Sequence, residues 1–309
     1  MAPTIGVIGL GLMGGNMSAK LIEEGYSVVG FDVDDGALGD FEAGGGTPME
    51  SPASVAAEVD VVITSLPDPP IVREVFLGDE GLLAADPADL IAIEMSTIDP
   101  ETTLDLDDAL AGSGIHLLST PVSGGPDAAR DGTLTVMAGG DEAVIEREAA
   151  QAVLETLGGK VYRTGAIDSG DTIKLLNNTM SMGNLLLAME AVSLGAERGV
   201  DGEIMLEVLT NAGASSNQLE KRLPRVLNRN FDVDFTPAFA KKDIGLALDT
   251  AEAMDRPMFV APIVHAMYTR ASAERGNDED VAAVVKLYEA AQDRIVEADE
   301  PVDESFGGY

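Results

Sequence analysis

A glycine motif near the N-terminus is the first feature with recognisable chemistry. Gly9, Gly11 and Gly14 form the pattern G-x-G-x-x-G between a predicted strand and a predicted helix. The first glycine permits a tight turn, the second lets the backbone approach a pyrophosphate, and the third lets the helix pack close to the strand. A dinucleotide diphosphate can therefore rest on the N-terminus of this helix. The alternative is a glycine turn that holds no ligand.

An acidic residue follows at the position where such folds contact ribose. Asp32 ends the second predicted strand, and an acid there accepts hydrogen bonds from the adenosine ribose. A 2′-phosphate would instead meet Asp32, Asp34 and Asp35, and residues 27–72 contain no Arg or Lys. This charge pattern favours NAD over NADP. Asp34 and Asp35 receive no role, because general surface acidity explains them.

A lysine and an asparagine four residues apart supply groups for proton transfer. Lys174 and Asn178 share one face of a predicted helix, in a mostly apolar stretch of a chain that has only seven lysines. The lysine can donate to a substrate oxygen as hydride moves, and the asparagine amide can fix that oxygen. We predict that Lys174 is catalytic and that Asn178 binds substrate. The alternative is a lysine on a helix surface.

A short turn provides a candidate site for a substrate carboxylate. Ser123, Gly124 and Gly125 can turn consecutive backbone N–H groups toward one point, and the Ser123 hydroxyl adds a donor. A carboxylate fits such a cradle. The alternative is a turn that only ends a strand.

A parallel sheet would place these residues together. Runs rich in Val and Ile alternate with helical patterns over about 160 residues, which predicts a doubly wound α/β sheet with helices on both faces. The predicted strands are Thr4–Gly9, Tyr26–Asp32, Asp60–Leu66, Leu90–Met95, Ile115–Ser119, Leu134–Ala138 and Lys160–Arg163. A helical run is predicted over Glu142–Leu157.

The second half of the chain is predicted to be helical. Helical periodicity continues to about Glu297, and Asp168–Arg198 is predicted as one helix of about 45 Å. We therefore expect a Rossmann-type NAD-binding domain over residues 1–163 and an all-α domain over 164–309. The acidic tail of the second domain, Ala298–Tyr309, is expected to be mobile.

The composition excludes several classes of protein. The 309 residues include 54 acidic and 19 basic side chains, a formal net charge of −35, and no cysteine. This charge opposes binding to nucleic acid and to anionic membranes, and the lack of cysteine excludes disulfides and thiolate metal sites. With two histidines we expect no metal site, and His116 is expected to be structural. Without an evident membrane span or signal peptide, we expect a soluble cytoplasmic protein.

The acidity has one further implication. Acid enrichment with scarce lysine resembles the composition of proteins from extreme halophiles, in which dense carboxylates hold water and salt ions around the fold. The alternative is an acidic mesophilic protein, and destabilisation at low salt by unscreened repulsion would distinguish the two. In such a chain the basic cluster Lys221, Arg222, Arg225 and Arg229 is expected to form salt bridges.

Four motifs together resemble the β-hydroxyacid dehydrogenase family, which includes 3-hydroxyisobutyrate dehydrogenase and tartronate semialdehyde reductase. They are Gly9–Met17 (GLGLMGGNM), Pro121–Gly125 (PVSGG) with Gly132–Thr135 (GTLT), Gly170–Asn178 (GDTIKLLNN), and Phe235–Ala247 with its Lys242-Asp243 pair. The chain departs from the family twice. Ser119-Thr120 stands where the family usually has Asp-Ala, and Asp168 replaces the first glycine of a Gly-x-Gly. Both changes could alter substrate preference.

The resemblance implies roles for further residues. Lys242 would contact the substrate carboxylate together with Ser123, Gly124, Gly125 and Asn178, and Lys241 is the alternative to Lys242. The residues that would contact the cofactor are Gly9, Gly11, Leu12, Met13, Gly14, Asp32, Leu66, Pro67 and Thr97. Core packing explains Met13 and Leu66 almost equally well.

We therefore expect an NAD-dependent dehydrogenase that interconverts a small 3-hydroxy carboxylate and its semialdehyde, most like 3-hydroxyisobutyrate dehydrogenase. The alternatives are tartronate semialdehyde reductase or another short semialdehyde reductase, then 6-phosphogluconate dehydrogenase, an imine reductase or a non-enzymatic NAD(P)-binding module. A 6-phosphogluconate dehydrogenase fits poorly, because Asn177-Asn178 stands where a His-Asn pair is expected. An imine reductase and a non-enzymatic binding module fit poorly, because Lys174 is retained. The resemblance also implies a homodimer or homotetramer assembled through the helical domain.

Overall fold

The computed structural model describes residues 3–276 and 278–304. The chain groups into two compact units, Met1–Lys174 (unit 1) and Leu175–Tyr309 (unit 2), and the division falls inside one long helix. The domain boundary predicted from the sequence lies earlier, between residues 163 and 164. Each unit has its own buried apolar core.

Unit 1 is built on one sheet. Its described strands are β1 (Thr4–Ile8), β2 (Ser27–Phe31), β3 (Thr47–Pro48), β4 (Val61–Thr64), β5 (Leu90–Glu94), β6 (Ile115–Ser119), β7 (Val122–Ser123), β8 (Leu134–Gly140) and β9 (Gly158–Gly165). Their order is β3-β2-β1-β4-β5-β6-β8-β7, with β9 paired to β8. The order 3-2-1-4-5-6 is that of a dinucleotide-binding doubly wound sheet, which confirms the predicted fold class.

Helices connect these strands. They are α1 (Leu12–Glu23), α2 (Asp35–Ala43), α3 (Pro52–Ala56), α4 (Pro69–Leu77), α5 (Pro100–Leu110), α6 (Pro126–Asp131), α7 (Glu142–Ile145) and α8 (Glu148–Leu157), and a 3₁₀ turn covers Leu82–Ala85. Asp34, Asp68 and Asp99 precede α2, α4 and α5 and accept a hydrogen bond from the first turn of each helix. Such N-caps fix where a helix begins. The single helical run predicted over 142–157 is split after Ile145.

The sheet is parallel from β3 to β6 and mixed beyond it. The pairs along this stretch are parallel, and so is β8 with β9. However, β8 runs antiparallel to both β6 and β7, so the prediction of a parallel sheet is wrong at this edge. The segment 124–133, which joins β7 to β8, is too short for a crossover helix packed on the sheet, and the chain therefore turns back.

Two apolar clusters cover the two faces of the sheet, as predicted. Ile5 and Val7 of β1 belong to one cluster, with side chains from α1, α2, α6, α7 and α8. Ile8 belongs to the other cluster, with side chains from α3, α4 and α5. Alternate residues of a strand point to opposite faces, so β1 is buried on both sides and its backbone is held firmly.

Helices are the only regular elements among the described residues of unit 2. The helix α9 (Ser169–Glu197) begins in unit 1, and unit 2 adds α10 (Gly202–Asn211), α11 (Asn217–Leu227), α12 (Pro237–Ala253), α13 (Ala261–Arg275) and α14 (Val285–Gln292), with a 3₁₀ turn over Val281–Val284. The side chains of Met189, Leu223 and Tyr268 are fully buried in its core. Within the described ranges, no helix is long and apolar enough to cross a membrane.

The C-terminal tail is partly ordered against unit 2. Asn228 exchanges hydrogen bonds of 2.8 and 2.9 Å with the backbone of Val302, and its amide also donates to Glu304. The mobility predicted for the tail from residue 298 stays a prediction, and these hydrogen bonds show where Val302 and Glu304 contact unit 2. Residues 305–309 lie outside the described part of the chain.

Candidate active site

The glycine motif forms a cradle between β1 and α1. Gly9 has φ +88°, and a Cβ atom there would lie 2.2 Å from the carbonyl oxygen of Ser65. A Cβ atom on Gly14 would lie 1.8 Å from the carbonyl oxygen of Gly9, so helix and strand approach closely. At Gly11 a Cβ atom would meet nothing within 4 Å, and this residue caps α1 without a side-chain hydrogen bond. Open space therefore faces backbone N–H groups at a helix N-terminus, which suits a diphosphate.

Asp32 lies directly beside this cradle. Its carboxylate accepts hydrogen bonds from the backbone N–H groups of Leu10, at 2.6 Å, and Asp34, at 2.9 Å. These bonds fix the carboxylate at the end of β2, and its remaining lone pairs can accept from ribose hydroxyls. Val33 is 90% exposed. Asp34, to which the sequence assigned no role, caps α2 by accepting from Ala37 N–H at 2.9 Å.

The residues expected along the nicotinamide follow the next two parallel strands. Leu66 and Pro67 come after β4, and Thr97 comes after β5, so all three lie at the same edge of the sheet as the glycine cradle. Leu66 N–H donates to Ser96 Oγ at 2.8 Å, and Ser96 N–H donates to the buried carboxylate of Glu94 at 2.9 Å. This edge is where ligands bind in open α/β sheets.

Two of the predicted cofactor contacts differ in exposure. Leu12 is 58% exposed at the start of α1. Met13 is partly buried and packs against the core of unit 1. Packing therefore accounts for Met13, as the sequence reading allowed, while Leu12 is free to meet a ligand.

The turn predicted to hold a carboxylate leads from β7 into α6. Ser123 is the last residue of β7, and Gly124 and Gly125 have φ of +144° and +86°. A Cβ atom on Gly124 would lie 2.6 Å from that of Ala128. Both glycines are therefore required by the backbone of this turn, and they leave its outer surface without side chains.

Lys174 lies in the second turn of α9 and is 8% exposed. A lysine with so little solvent is expensive to keep in a fold unless its amino group has polar partners, which makes a surface role untenable. Asn178 follows one turn later on the same helix and is also buried. Their burial and spacing agree with the expectation that both face a site rather than bulk water.

Asp171, one turn before Lys174, was not singled out by the sequence. Its side chain is fully buried, and Oδ2 accepts from the hydroxyls of Thr103 and Ser119, both at 2.7 Å. Burial raises the pKa of Asp171 well above its usual 3.8, and the nearby carboxyl of Glu94 raises it further, while the two hydroxyl donors oppose the shift. Only tertiary structure brings these groups together.

Unit 2 contributes a second buried carboxylate that the sequence reading left without a role. Asp243 of α12 is 1% exposed; its Oδ2 accepts from Asn178 Nδ2 at 2.6 Å, and its Oδ1 lies 2.9 Å from Lys242 Nζ. Lys242 is half-buried whereas Lys241 is exposed, so only Lys242 joins this cluster. The Lys242-Asp243 pair of the fourth motif was the feature of the sequence from which a role for Asp243 could have been predicted.

The remaining charged residues of interest are structural. Arg222 pairs with Asp280 at 2.8 Å, Arg225 pairs with Asp234 at 2.9 Å, and Arg229 pairs with a glutamate of α14. These pairs confirm the salt bridges predicted for the basic cluster. A buried network of this kind holds its helices in register, because removing one partner would leave a charge buried alone.

His116 is held by charged neighbours. Its Nε2 lies 2.8 Å from Asp89 Oδ1, and Arg147 contacts both residues. Arg147 lowers the pKa of the Asp89 carboxyl, first by its hydrogen bond and then by its charge. The histidine therefore has partners of its own, in keeping with the structural role predicted for it.

Two family models match consecutive parts of the chain. Residues 4–165 match the NAD binding domain of 6-phosphogluconate dehydrogenase. Residues 168–288 match a model described as the NAD-binding of NADP-dependent 3-hydroxyisobutyrate dehydrogenase. The matched segments contain the glycine cradle and Asp32 in the first case, and Lys174, Asn178 and Lys242 in the second.

Similarity to individual proteins extends over nearly the whole chain. The 2-(hydroxymethyl)glutarate dehydrogenase of Eubacterium barkeri is 34% identical over 92% of this chain and 94% of its own length. The L-threonate dehydrogenase of Cupriavidus necator is 33% identical over 93% of this chain and 97% of its own. The structure of Mycobacterium tuberculosis 3-hydroxyisobutyrate dehydrogenase with L-serine matches with a TM-score of 0.83 at 32% identity, covering 93% and 99% of the two chains.

Proposed function

Because the chain belongs to the β-hydroxyacid dehydrogenase family, we propose that it interconverts a small 3-hydroxy carboxylate and its semialdehyde, with NAD as cofactor. It is an NAD(P)-dependent dehydrogenase that acts on a CH–OH group. The observation that carries the proposal is the burial of Lys174 one helical turn from Asn178. Such a pair serves a substrate oxygen, and the relatives named above act on hydroxy acids.

Lys174 handles the proton in this reaction. When bound, the nicotinamide accepts a hydride from the substrate carbon in oxidation and returns it in reduction. In oxidation the hydroxyl proton passes to the Lys174 amino group while the oxygen becomes a carbonyl; in reduction Lys174 gives the proton back to the oxygen. Removing water from around the amino group strengthens its interaction with the charge that develops on that oxygen.

The substrate carboxylate is held by polar groups from two motifs. The Ser123–Gly125 turn offers backbone N–H groups and a hydroxyl, and Lys242 offers a positive charge. Asn178 donates to a substrate oxygen with the amide N–H that Asp243 does not engage. Because the orientation of a hydroxy acid depends on these contacts, substrates without a carboxylate should be poor.

The choice of acid is proposed from the family resemblance and from the names of the relatives. The proposed substrate is most like 3-hydroxyisobutyrate, and tartronate semialdehyde or another short semialdehyde is the second candidate. The names of the relatives include L-threonate and 2-(hydroxymethyl)glutarate, and the latter is itself a 3-hydroxy carboxylate. These acids share a carboxylate and an alcohol within a few bonds, as the proposed contacts require.

NAD is proposed over NADP on electrostatic grounds. The site that would face a 2′-phosphate contains Asp32, Asp34 and the uncharged Val33, and residues 27–72 supply no cation. Like charges at contact distance cost about 1–4 kcal/mol, depending on the effective dielectric constant. This cost falls on NADP alone, because NAD presents neutral ribose hydroxyls to the same carboxylates.

The chain is proposed to form a homodimer or a larger homo-oligomer through one face of α9. Leu176, Met180, Leu187 and Leu194 are 53–68% exposed on this helix. They span about 27 Å at 1.5 Å per residue, and Glu190 is the one charged side chain exposed at the described positions between Leu176 and Leu194. An apolar stripe of this length, in a chain with a net charge of −35, fits a second copy of the same face better than water.

The composition supports activity at high salt. A net charge of −35 on 309 residues produces repulsion that dissolved ions screen, since the Debye length falls to about 3 Å at 1 M. We therefore expect the folded, active protein to require molar KCl. The same acidity fits the proposed absence of nucleic-acid and membrane partners and a location in a salt-rich cytoplasm.

The test is reduction of NAD by purified protein at molar KCl. The panel contains 3-hydroxyisobutyrate, 3-hydroxypropionate, glycerate, L-threonate, 2-(hydroxymethyl)glutarate, 4-hydroxybutyrate and 6-phosphogluconate, each repeated with NADP and at low salt. We expect NADH from at least one 3-hydroxy carboxylate and little from 6-phosphogluconate. Turnover confined to 6-phosphogluconate, or a preference for NADP, would contradict the proposal. Silence across the panel while NAD still binds would point to a different substrate class or to a binding protein.

A further inference from the structure

A buried carboxyl group with no part in the proton transfer lies close to Lys174. Asp171 precedes the lysine by three residues on α9, so the two side chains project from neighbouring positions of one helix face. Its Oδ2 accepts from Thr103 and Ser119, and no donor among the described residues reaches its Oδ1. A fully buried acid is expensive to maintain, which calls for a reason beyond stability.

The partners of Asp171 come from two different elements of unit 1. Thr103 lies on α5, and Ser119 is the last residue of β6. Beyond Ser119 the chain runs through Pro121 to the turn Ser123–Gly125, only a few residues further on. Asp171 therefore joins the helix turn that precedes Lys174 to the strand that leads to the proposed carboxylate site.

The same helix turn is packed with almost no space to spare. A Cβ atom on Gly170 would lie 2.5 Å from the carbonyl oxygen of Met137 and 3.2 Å from that of Ser119. The backbone of α9 thus rests directly on β6 and β8 at the point where Asp171 is hydrogen-bonded. Close packing and directed hydrogen bonds together fix the start of α9 both along its axis and in its rotation about that axis.

We propose that Asp171 is a positioning residue for the dehydrogenase reaction, because its hydrogen bonds to Ser119 and Thr103 fix the position of Lys174 relative to the Ser123–Gly125 turn. This inference rests on the proposed function of Lys174 and of that turn. Proton transfer needs the lysine and the anchored substrate within a few tenths of an ångström of the right geometry, and small displacements reduce the rate steeply. The group formed by Asp171, Ser119 and Thr103 is called the α9 clamp below.

The sequence contains an independent indication of the clamp. Ser119 stands where the related family usually has an aspartate, and in this chain the serine hydroxyl donates to an aspartate on α9 instead. A carboxyl group therefore lies between β6 and α9 in this chain, and the exchange Ser119→Asp with Asp171→Ser would keep one carboxyl between the same two elements.

Electrostatics defines which substitution should preserve the clamp. Burial and the facing carboxyl groups of Glu94 and Asp99 all raise the pKa of Asp171, and only the hydroxyl donors Thr103 and Ser119 lower it. These surroundings therefore favour the neutral form of the Asp171 carboxyl. Asparagine has the same shape and no charge, and its carbonyl oxygen can accept from both hydroxyls.

The experiment compares four variants at molar KCl: Asp171→Ala, Asp171→Asn, Ser119→Asp and the exchange Ser119→Asp with Asp171→Ser. We expect Asp171→Ala and Ser119→Asp each to lower kcat by about tenfold or more while KM for NAD changes less than about twofold, since the glycine cradle is untouched. Asp171→Asn and the exchange should both restore kcat to within about threefold. Ser113→Ala is the control, because it removes a half-buried hydroxyl bonded only to Leu110 and Ile115.

A second measurement does not depend on turnover. Labelling lysine with ¹³C at Cε marks seven side chains, and comparison with Lys174→Arg identifies the NMR signal of Lys174. Asp171→Ala should shift this signal, and both Asp171→Asn and the exchange should return it. An unmoved signal, or an Asp171→Ala enzyme with full kcat, overturns the inference. The inference is also overturned if Asp171→Ala lowers kcat and raises KM for NAD in parallel and Asp171→Asn does not restore them. That result would indicate a purely structural role for Asp171. A parent protein silent on every substrate contradicts the proposed function, and the NMR arm still decides the position of Lys174.

Discussion

Asn178 and Asp243 form a buried hydrogen bond of 2.6 Å from amide Nδ2 to carboxylate Oδ2. An ionised carboxylate only accepts, so the bond determines which end of the amide faces α12. The other carboxylate oxygen lies 2.9 Å from Lys242 Nζ. One aspartate thus orients both polar groups that we assign to the substrate in unit 2.

Substitution of Asp243 by asparagine should affect both binding and stability. The ion pair with Lys242 is lost, and the Asn178 amide loses its directing acceptor, so we expect KM for the hydroxy acid to rise about tenfold or more and stability to fall by about 1–3 kcal/mol. Initial-rate kinetics and denaturant unfolding at fixed KCl measure the two effects. Asp249→Asn, an exposed change on the same helix, is the control. An unchanged KM would refute the orienting role.

Removal of the Lys174 amino group should abolish most turnover without preventing cofactor binding. Lys174→Ala is expected to lower kcat by about 100-fold or more, because the proton then has no positioned donor or acceptor. Lys174→Arg should fare little better, since a guanidinium does not give up its proton. NAD affinity, measured by fluorescence titration, should stay near that of the parent. Lys241→Ala provides the control, and full activity of Lys174→Ala would exclude the assignment.

Neutralising Asp32 should reduce the discrimination against NADP. For Asp32→Asn we expect the ratio of kcat/KM for NADP to that for NAD to rise about tenfold, because a repulsion of order 1 kcal/mol or more is removed. The absolute value for NAD should fall, since asparagine offers one oxygen where Leu10 and Asp34 now donate to two. Both cofactors are compared at the same KCl concentration. Asp40→Asn, an exposed change further along α2, is the control. An unaltered ratio for Asp32→Asn would show that Asp32 does not contact the ribose.

A charge placed on the exposed face of α9 should dissociate the oligomer. Leu187→Glu puts a carboxylate in the middle of the apolar stripe, where it would be buried opposite its own copy. Sedimentation velocity at molar KCl should then report a smaller species than the parent protein forms. Leu104→Glu, at an exposed apolar position of α5 in unit 1, serves as the control. A parent protein that is already monomeric would remove the basis of this prediction.

The raised pKa of Asp171 predicts how stability changes with pH. Its folded pKa is raised well above 3.8 by burial and by Glu94, so the folded state keeps a proton that the unfolded state loses. The contribution of this group to stability is therefore complete below about pH 4 and is lost as pH rises toward the folded pKa, by up to about 1.4 kcal/mol per pH unit.

Asparagine at position 171 does not titrate and should abolish this dependence. Asp171→Asn should gain stability relative to the parent protein between pH 5 and pH 8, as measured by denaturant unfolding in constant KCl. Asp108→Asn, an exposed change on α5, is the control. A stability difference that stays constant over this interval would mean that Asp171 is ionised in the fold.

The sequence was sufficient for the fold class but not for the direction of every strand. Strands β1, β2, β5 and β6 lie within one or two residues of their predicted bounds, because runs of Val and Ile next to glycine and aspartate are strong local signals. Direction depends on connections instead. The two-residue strand β7 was missed, and with it the return of the chain to an antiparallel β8.

The candidate site shows a similar division. Lys174, Asn178 and the glycine cradle were identifiable because their motifs are local in the chain. Asp171 gains its meaning from Thr103 and Ser119, which are 68 and 52 residues away. Such contacts are created by tertiary packing, and neither periodicity nor spacing along the chain reports them.

The capping of α2 by Asp34 sets a condition on any attempt to redesign the cofactor preference. A designer who wants to admit a 2′-phosphate would remove the negative charges that follow β2, yet Asp34 also begins a helix through its bond to Ala37 N–H. Exchange for lysine or arginine would remove the cap, at a cost of about 1 kcal/mol. Serine or asparagine keeps the cap without the charge. Cofactor engineering in this protein is therefore also a problem of helix stability, and the order in which mutations are introduced will matter.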